Sequence, residues 1–498
     1  MRIMTTEIYK ITELTAGKQE LQSVLDKLFI PAEGKAIRQH VTDFVKENLS
    51  TLRDDLYVVV EFDYVDSVYR DSYYGYFATK NQQYNKNCLR LSFFDNAFDQ
   101  DVKFSNIENI KSNYLGFLIL RPIYKCIGRN VISPKAKKKP YSDILMNVVA
   151  VDTSCMGVKL KAVGFPHASQ DGETMTCAQT TIWALMEYYG NKYTLYCPTF
   201  PSMINTILKN YSYERQLPSS GLTYNQISVV LRQLGFGPKI YAYTKDRHDQ
   251  FFENFACYIE SGIPLAVAIK GMGIGHAIVC IGRSKVDRSS IIKSGKVSFS
   301  GKEMYSWNKA ISTVPFVFND DNKPSYQQGT LPYITKYYKK SQWDNAMVSH
   351  FIAPLYSKIY MEAGSAISIT NYIVSHDIIN ANENSVIRTF LTSSRTYREY
   401  LVNNQSFDET NKQALLQVQL PKFVWVSEIS DMENFLNFKV NHLLLLDATG
   451  SKRTDSLTNV LFLLSRGLYK GYDASLKDFK TYKTTFPVSF DCFAGNLK

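Results

Sequence analysis

Three side chains capable of catalysis follow one another along this chain in the order thiol, imidazole, carboxylate. Cys177 begins the stretch CAQTTIWALMEYYG, His276 follows the glycine-rich KGMGIG, and Asp320 lies in FVFNDDN. A cysteine attacks an acyl carbon as the thiolate, which an adjacent histidine generates, and a carboxylate or amide holds that histidine in its productive orientation. This order of residues therefore predicts a thiol nucleophile with a histidine base.

Cys177 is predicted to lie in the first turn of a helix. Thr174 and Thr176 are candidate N-caps, and Gly190 is the predicted stop. The free N–H groups and the dipole of a first turn favour an anion, which stabilises the thiolate. One apolar face is predicted for this helix: Ala178, Ile182, Leu185, Met186 and Tyr189. A cysteine at a helix start is more often a small core residue, so the catalytic interpretation depends on its partners.

His276 is the histidine best placed to be such a partner. The glycines at positions 271, 273 and 275 allow backbone or substrate to come close to it, and it begins the apolar strand AIVCI. A histidine at the start of a strand can project into a cleft. His167, which is close to Cys177 in sequence, is the fallback.

The polar cluster after FVF supplies the third member. Asn319, Asp320 and Asp321 all follow the predicted strand, and the sequence does not choose which of them faces His276. The same run could instead form a simple turn before Pro324, because Asn and Asp favour turns.

Three stretches, QDGETMTCAQTTIWAL, GIGHAIVCIGR and FVFNDDN, together resemble the papain-like cysteine peptidases. They are more similar to the bacterial branch that includes the double-glycine leader peptidases, and the resemblance covers roughly residues 160–335. It implies that Cys177 is the nucleophile, that His276 is the general base and that Asp320 orients His276. It also implies an oxyanion hole made of the N–H of Cys177 and the side chain of Gln170. Gln170 lies one residue further upstream than the family's glutamine, and Asp171 stands in that place.

The elements around these residues predict an α+β fold. A chain of 498 residues is long enough for about three domains. We expect an N-terminal α/β domain over 1–150, a papain-like thiol hydrolase domain over 156–335 and a C-terminal α+β domain over 340–498. The middle domain would combine a helical lobe with an antiparallel sheet, because predicted helices precede predicted strands there, and the two flanking domains are expected to be mixed α/β.

Composition and charge limit which binding partners and which cellular compartment are expected for this chain. The net charge is +11, but the one tight basic run, KAKKK at Lys135–Lys139, is predicted to be a solvated loop and no nucleic-acid motif accompanies it. Nucleic acid is therefore not expected as a partner. The sequence shows neither a signal peptide nor a membrane-spanning helix, and the eight cysteines form no CxxC pair, so we expect reduced thiols in the cytoplasm. No metal or organic cofactor is expected, since no HExxH or paired CxxC is present.

The predicted function is a cysteine peptidase that cleaves a peptide or isopeptide bond through a thioester on Cys177. The expected partners are a protein or peptide substrate and a regulatory protein, or a flanking domain, that gates the cleft. A papain-fold acyltransferase or transglutaminase is the first alternative, since it would use the same thioester. A catalytically silent binding scaffold is the second alternative. Its function would depend on the tyrosine-rich first domain and on the basic surface; the whole chain has 34 tyrosines.

Overall fold

The computed structural model describes residues 6–16, 18–29, 35–95, 107–138, 143–193, 200–211, 221–271, 274–339, 343–344, 346–450, 456–473, 475–483 and 485–497. Lys139, Cys197 and Gly273 therefore lie outside the described residues. The architecture is α+β, as predicted, with helices packed on several sheets.

The first five strands form an antiparallel sheet in chain order, β1-β2-β3-β4-β5. Its elements are β1 (Thr6–Lys10), α1 (Ile11–Ala16), α2 (Lys18–Asp26), α3 (Lys35–Leu49), β2 (Tyr57–Tyr64), α4 (Ser67–Gly75), β3 (Cys88–Phe94), α5 (Ile107–Asn113), β4 (Tyr114–Leu120) and β5 (Ile127–Ile132). Side chains alternate between the two faces of a strand, so Val58 and Val60 join the cluster beneath α1–α3 while Val59 joins the cluster around the central helix. Both faces of this sheet are buried.

A second sheet carries the strand that begins near His276. The elements that follow are β6 (Ile144–Met146), β7 (Val149–Cys155), β8 (Val158–Gly164), α6 (Cys177–Tyr193), α7 (Pro201–Tyr211), α8 (Tyr224–Gln233), β9 (Phe236–Ala242), α9 (His248–Glu260), β10 (Leu265–Gly271), β11 (Ile274–Ser284), α10 (Arg288–Ile291), β12 (Lys296–Phe299), β13 (Lys302–Ser306), α11 (Trp307–Ile311), β14 (Phe316–Asn319), β15 (Gln327–Gly329) and β16 (Met347–Tyr356). The strand order is β15-β14-β11-β10-β16-β9, with β6 paired to β11, and every pairing is antiparallel.

A third sheet has the order β12-β13-β17-β18-β20-β21-β22-β23. The remaining elements are α12 (Ala363–Ser375), β17 (Val386–Ser393), α13 (Ser394–Asn403), α14 (Glu409–Gln417), β18 (Phe423–Ser430), α15 (Met432–Leu436), β19 (Lys439–Val440), β20 (His442–Asp447), β21 (Val460–Ser465), β22 (Leu468–Asp473), β23 (Asp478–Lys483) and β24 (Phe490–Asp491). Two-stranded pairings join β7 to β8 and β19 to β24.

Sheet pairing crosses the ends of the predicted middle segment. β6 precedes residue 156 and β16 follows residue 335, yet both belong to the second sheet. In the other direction, β12 and β13 lie inside 156–335 and join the third sheet. The three-domain division stays a prediction, and the strands on either side of 156–335 complete the sheet that holds His276.

The central helix α6 differs from the predicted amphipathic helix in two respects. It is buried on nearly all sides, because the first sheet and β11 both pack against it in one cluster that includes Val59, Ile182, Trp183 and Val279. It also continues through Gly190 to Tyr193, so the predicted stop at that glycine is wrong. Burial by tertiary packing outweighs the helix-weakening effect of a single glycine.

The prediction that the basic run KAKKK forms a solvated loop is wrong for Lys137. The Lys137 side chain is buried, its Nζ donates to Thr51 Oγ1 at 2.8 Å, and burial lowers the pKa of Lys137 to about 7.

Within the described residues, no helix is both long enough and apolar enough to cross a membrane. The seven described cysteines are free thiols.

Candidate active site

The loop that leads into Cys177 is held by one carboxylate. Asp171 Oδ1 accepts hydrogen bonds from the N–H groups of Glu173, Thr174 and Met175 at 2.8, 2.7 and 2.8 Å. Its other oxygen accepts from the Thr174 hydroxyl. Asp171 stands where the papain-like peptidases have their glutamine. Here its carboxylate holds the loop together and so fixes the path of the chain into the helix.

Thr176, one of the two predicted caps, occupies the position before the first helical residue, and its hydroxyl donates to Gln179 Oε1 at 3.1 Å. Its N–H donates to Gln179 Oε1 at 2.8 Å, and its carbonyl accepts from the N–H of Thr180 at 3.0 Å. Cys177 is thus the first residue of α6, half-buried, with the first-turn N–H groups beneath it. This is a position at which the helix dipole stabilises an anion.

His276 meets two carboxylates at the strand end. Its Nε2 lies 2.9 Å from Asp320 Oδ1 and 3.3 Å from Asp321 Oδ1. Residues of β14 pair with β11, which brings the end of one strand to the start of the other. The structure therefore places the side chains of Asp320 and Asp321 at the predicted base.

Cys177 closes the group from the other side. Its thiol interacts electrostatically with His276 and adds to the rise in the pKa of that imidazole. Nε2 is engaged by the carboxylates, so Nδ1 is the ring nitrogen that would be left to exchange a proton with the thiol. Burial opposes the charged imidazolium, but the carboxylates of Asp320 and Asp321 outweigh burial and raise the pKa of His276 well above its usual value. The two carboxylates therefore favour the charged, imidazolium form of His276.

Asp320 is an anion surrounded by donors. Its Oδ1 accepts from the Tyr338 hydroxyl and from the N–H of Asn322, each at 3.0 Å, and its Oδ2 accepts from the Tyr337 hydroxyl at 3.0 Å. Burial disfavours the charged carboxylate, but His276 and these hydrogen bonds outweigh burial and lower the pKa of Asp320. Neither tyrosine was predicted, although the adjacent pair in TKYYKK is a visible signal.

Asp321 has the opposite environment. Both of its oxygens are buried without a hydrogen-bond partner. Burial raises the pKa of Asp321 to about 7, with His276 opposing the rise and the charge of Asp320 adding to it. Two adjacent carboxylates at one imidazole are therefore set for different protonation states, with Asp320 charged and Asp321 able to hold a proton near neutral pH.

Asn322 joins the histidine to two further side chains. Its Nδ2 lies 3.4 Å from His276 Nε2, while its Oδ1 accepts from Gln170 Nε2 at 2.9 Å and from Lys125 Nζ at 3.1 Å. Gln170 therefore lies in the cluster, and its amide N–H is directed at Asn322. Nothing in the sequence of the turn between β4 and β5 marks Lys125 as a residue of this cluster.

The remaining candidates lie beside the site. Asn319 Oδ1 accepts from the N–H of Tyr326 at 3.0 Å and so holds the following loop. His167, the fallback base, is buried with its Nε2 3.1 Å from the carbonyl of Asp320 and its Nδ1 3.1 Å from Asn130 Nδ2, and burial lowers its pKa to about 4. It is a neutral histidine that supports the backbone of Asp320.

An aromatic ring covers the imidazole. The Trp343 ring centroid lies 5.4 Å from that of His276, at an interplanar angle of 50°. A half-buried indole at this distance excludes water from the edge of the histidine, and electrostatic contacts are stronger where water is excluded.

The same three residues also have the composition of a metal site. Ligand atoms of His276, Asp320 and Asp321 lie within 4.8 Å of one another, and all three side chains are buried. An imidazole and two carboxylates are a donor set that divalent transition metals accept.

Comparisons with protein-family models, curated proteins and solved structures find no match to this chain.

Proposed function

We propose that this chain is a cysteine peptidase on a papain-like fold, which cleaves a peptide or isopeptide bond through a thioester on Cys177. The observation that carries the proposal is an imidazole that lies 2.9 Å from a buried carboxylate and interacts electrostatically with a thiol at a helix start. A nucleophile, a base and a residue that orients the base are the parts that covalent acyl transfer requires.

In the acylation step, the Cys177 thiolate attacks the carbonyl carbon and the carbonyl oxygen becomes an oxyanion. The N–H of Cys177 and Nε2 of Gln170 donate to that oxygen, which requires Gln170 to leave Asn322. As the oxyanion collapses, the C–N bond breaks and His276 gives its Nδ1 proton to the leaving amine. The product of this step is a thioester between the acyl group and Cys177.

In the deacylation step, the now neutral His276 removes a proton from water. The resulting hydroxide attacks the thioester carbon, the C–S bond breaks and the acyl group leaves as a carboxylic acid. Asp320 stabilises the imidazolium that forms at this point, and its own orientation is set by Tyr337 and Tyr338. If an amine attacked this thioester in place of water, the reaction would be that of an acyltransferase.

Selective alkylation tests the nucleophile without knowledge of the substrate. Iodoacetamide should label Cys177 at least tenfold faster than the other cysteines in the native chain, as followed by peptide mass spectrometry over time. Cys492 is the matched control, because it too is a half-buried free thiol. In Cys177→Ala, rapid labelling should vanish, whereas in Cys492→Ala it should persist. Equal labelling of Cys177 and Cys492 would refute the proposal.

An acyl donor tests the thioester. Incubation with p-nitrophenyl acetate should release a burst of p-nitrophenol and add one acetyl group to Cys177 in the wild type, but not in Cys177→Ala. Added hydroxylamine should then remove the acetyl group and restore the free thiol, as expected of a thioester. New protein N-termini that appear in a host proteome with wild type and not with Cys177→Ala would identify the substrates.

A metal-assisted hydrolase is the second candidate, favoured by the ligand geometry of His276, Asp320 and Asp321. The two functions differ in their response to a chelator. A thiol peptidase keeps its activity after dialysis against EDTA and is inhibited by added Zn²⁺, which would occupy Nε2 of His276. A metal enzyme loses activity with EDTA and recovers it with Zn²⁺.

A further inference from the structure

We propose that Lys125 forms an anion-recognition subsite beside Cys177, so that the preferred substrate carries a carboxylate next to the bond that is cleaved. This inference rests on the proposed function, because it assigns a substrate class to the same nucleophile.

Lys125 reaches the site from the first sheet. It lies in the turn between β4 and β5, and Arg121 Nη2 holds that turn by donating to the carbonyls of Lys125, Ile127 and Ser169 at 2.8, 2.9 and 3.0 Å. Ser169 precedes Gln170, so the same guanidinium ties the turn to the segment that enters the site. The turn that carries Lys125 is therefore held in place by the buried side chain of Arg121.

The Lys125 ammonium is half-buried and has no carboxylate partner. Its Nζ donates to the neutral Oδ1 of Asn322 at 3.1 Å, and no carboxylate among the described residues lies within ion-pair distance of it. Burial lowers the pKa of Lys125, while the charges of Asp321, Cys177 and Asp171 act in the opposite direction. An ammonium held in this way is available to an anion that enters from outside.

The two nearby carboxylates are committed to other tasks. Asp171 accepts four hydrogen bonds from its own loop. Asp321 lies against His276 and is the carboxylate whose charge is disfavoured by burial. Neither neutralises Lys125 by direct contact.

Two independent sources of positive potential thus converge on the nucleophile. The first turn of the 17-residue helix α6 presents free N–H groups at Cys177. The Lys125 ammonium lies 3.1 Å from Oδ1 of Asn322, and Nδ2 of Asn322 lies 3.4 Å from His276 Nε2. A carboxylate on a peptide substrate, on a side chain or at a chain end beside the scissile bond, would be attracted by both. A neutral substrate of equal shape would lack this interaction.

A pair of alkylating reagents measures the subsite directly. Iodoacetate and iodoacetamide have similar shapes, and with either one the Cys177 thiolate displaces iodide and forms a thioether, but iodoacetate carries a carboxylate. Lys125→Gln should reduce the rate of Cys177 alkylation by iodoacetate about 5-fold, as expected from one unit charge several ångströms away in a partly solvated site. The rate with iodoacetamide should change by less than about 2-fold, since that reagent is neutral.

Two variants serve as controls. Lys125→Arg keeps the charge and should keep the ratio of the two rates near its wild-type value. Lys309→Gln removes another half-buried lysine, which pairs with Asp249 at 2.9 Å, and should leave the ratio unchanged. Added salt should lower the ratio in the wild type and have less effect in Lys125→Gln.

The outcomes separate this inference from the proposed function. Cys177 that reacts rapidly with both reagents, with a rate ratio that Lys125→Gln does not change, would overturn the subsite and leave the peptidase proposal intact. A fall of both rates by the same factor would also overturn it, because that result indicates a structural role. Cys177 that reacts no faster than Cys492 with either reagent would refute the nucleophile itself.

Discussion

Asp320 Oδ1 lies 2.9 Å from His276 Nε2, and both side chains are almost completely excluded from solvent. A buried ion pair is retained only where each charge has further partners, and Asp320 has three additional donors. The contact therefore sets the charge of His276 as well as its orientation.

The first prediction concerns that charge. In Asp320→Asn, the amide oxygen can still accept from Nε2, but the negative charge is lost. The pKa of His276 should fall, because Asp320 is the largest influence that raises it against burial. Since His276 must be protonated to deliver its proton to a leaving amine, the alkaline limb of the rate of hydrolysis of a peptide that the wild type cleaves should move to lower pH.

Asp320→Ala is the comparison for this experiment. It removes the acceptor as well as the charge, so hydrolysis should fall at all pH values. An alkaline limb that stays in place in Asp320→Asn would contradict the assigned role of the carboxylate.

The second prediction concerns the stability cost of Asp321. Its folded-state pKa of about 7 exceeds the ordinary value of 3.8, so the folded chain holds this proton more tightly than the unfolded chain. The resulting penalty grows as the pH rises from 3.8 to 7 and is complete above that range. Asp321→Asn should therefore stabilise the chain more at pH 8.5 than at pH 5.5, by about 2 kcal/mol.

The measurement is the melting temperature of wild type and variant at the two pH values. Asp320→Asn is the matched control, because the pKa of Asp320 is lowered in the folded chain. Its contribution to stability is present above the ordinary pKa and is lost only as the pH falls through the folded value, so this variant should destabilise at both pH values. Equal stabilisation by Asp321→Asn at pH 5.5 and 8.5 would be inconsistent with a buried carboxyl group that titrates near 7.

The positions of Cys177, His276 and Asp320 could be predicted because each has a local signal. A helix start, a glycine-preceded strand start and a polar strand end can be recognised from neighbours in the sequence. Pairing of β11 with β14 then brings the histidine and the carboxylate together. The choice among Asn319, Asp320 and Asp321 required the structure, because β14 ends at Asn319 and the turn that follows brings both Asp320 and Asp321 to His276.

Lys125 and the environment of α6 could not be predicted, because both depend on contacts between distant segments. Lys125 enters from a turn of the first sheet, and no periodic pattern identifies a turn residue that contacts Asn322. The helix is buried on nearly all sides because two sheets enclose it, whereas its sequence pattern indicates a single apolar face.

The third prediction concerns the loop before the nucleophile. Asp171→Ala removes the acceptor of three backbone N–H groups and should destabilise the chain by about 1–3 kcal/mol. Because the loop positions Cys177, alkylation of that thiol should also slow. Asp171→Asn is the conservative variant, since its amide oxygen can accept all three N–H groups that now converge on Oδ1. A melting temperature and an alkylation rate near wild type in Asp171→Asn, with losses in both for Asp171→Ala, would support the positioning role.

The last prediction separates the oxyanion hole from the nucleophile. Gln170 contributes an N–H donor whose benefit arises only when the carbonyl oxygen becomes negative. Gln170→Ala should therefore reduce p-nitrophenyl acetate hydrolysis by about 10²–10³-fold, while iodoacetamide alkylation of Cys177, which forms no oxyanion, stays within about 2-fold of wild type. Gln327→Ala is the control, because this glutamine also donates its amide, to the carbonyl of Pro324 at 2.8 Å. A parallel loss of hydrolysis and alkylation in Gln170→Ala would assign Gln170 to holding Asn322 and the loop in place rather than to the oxyanion.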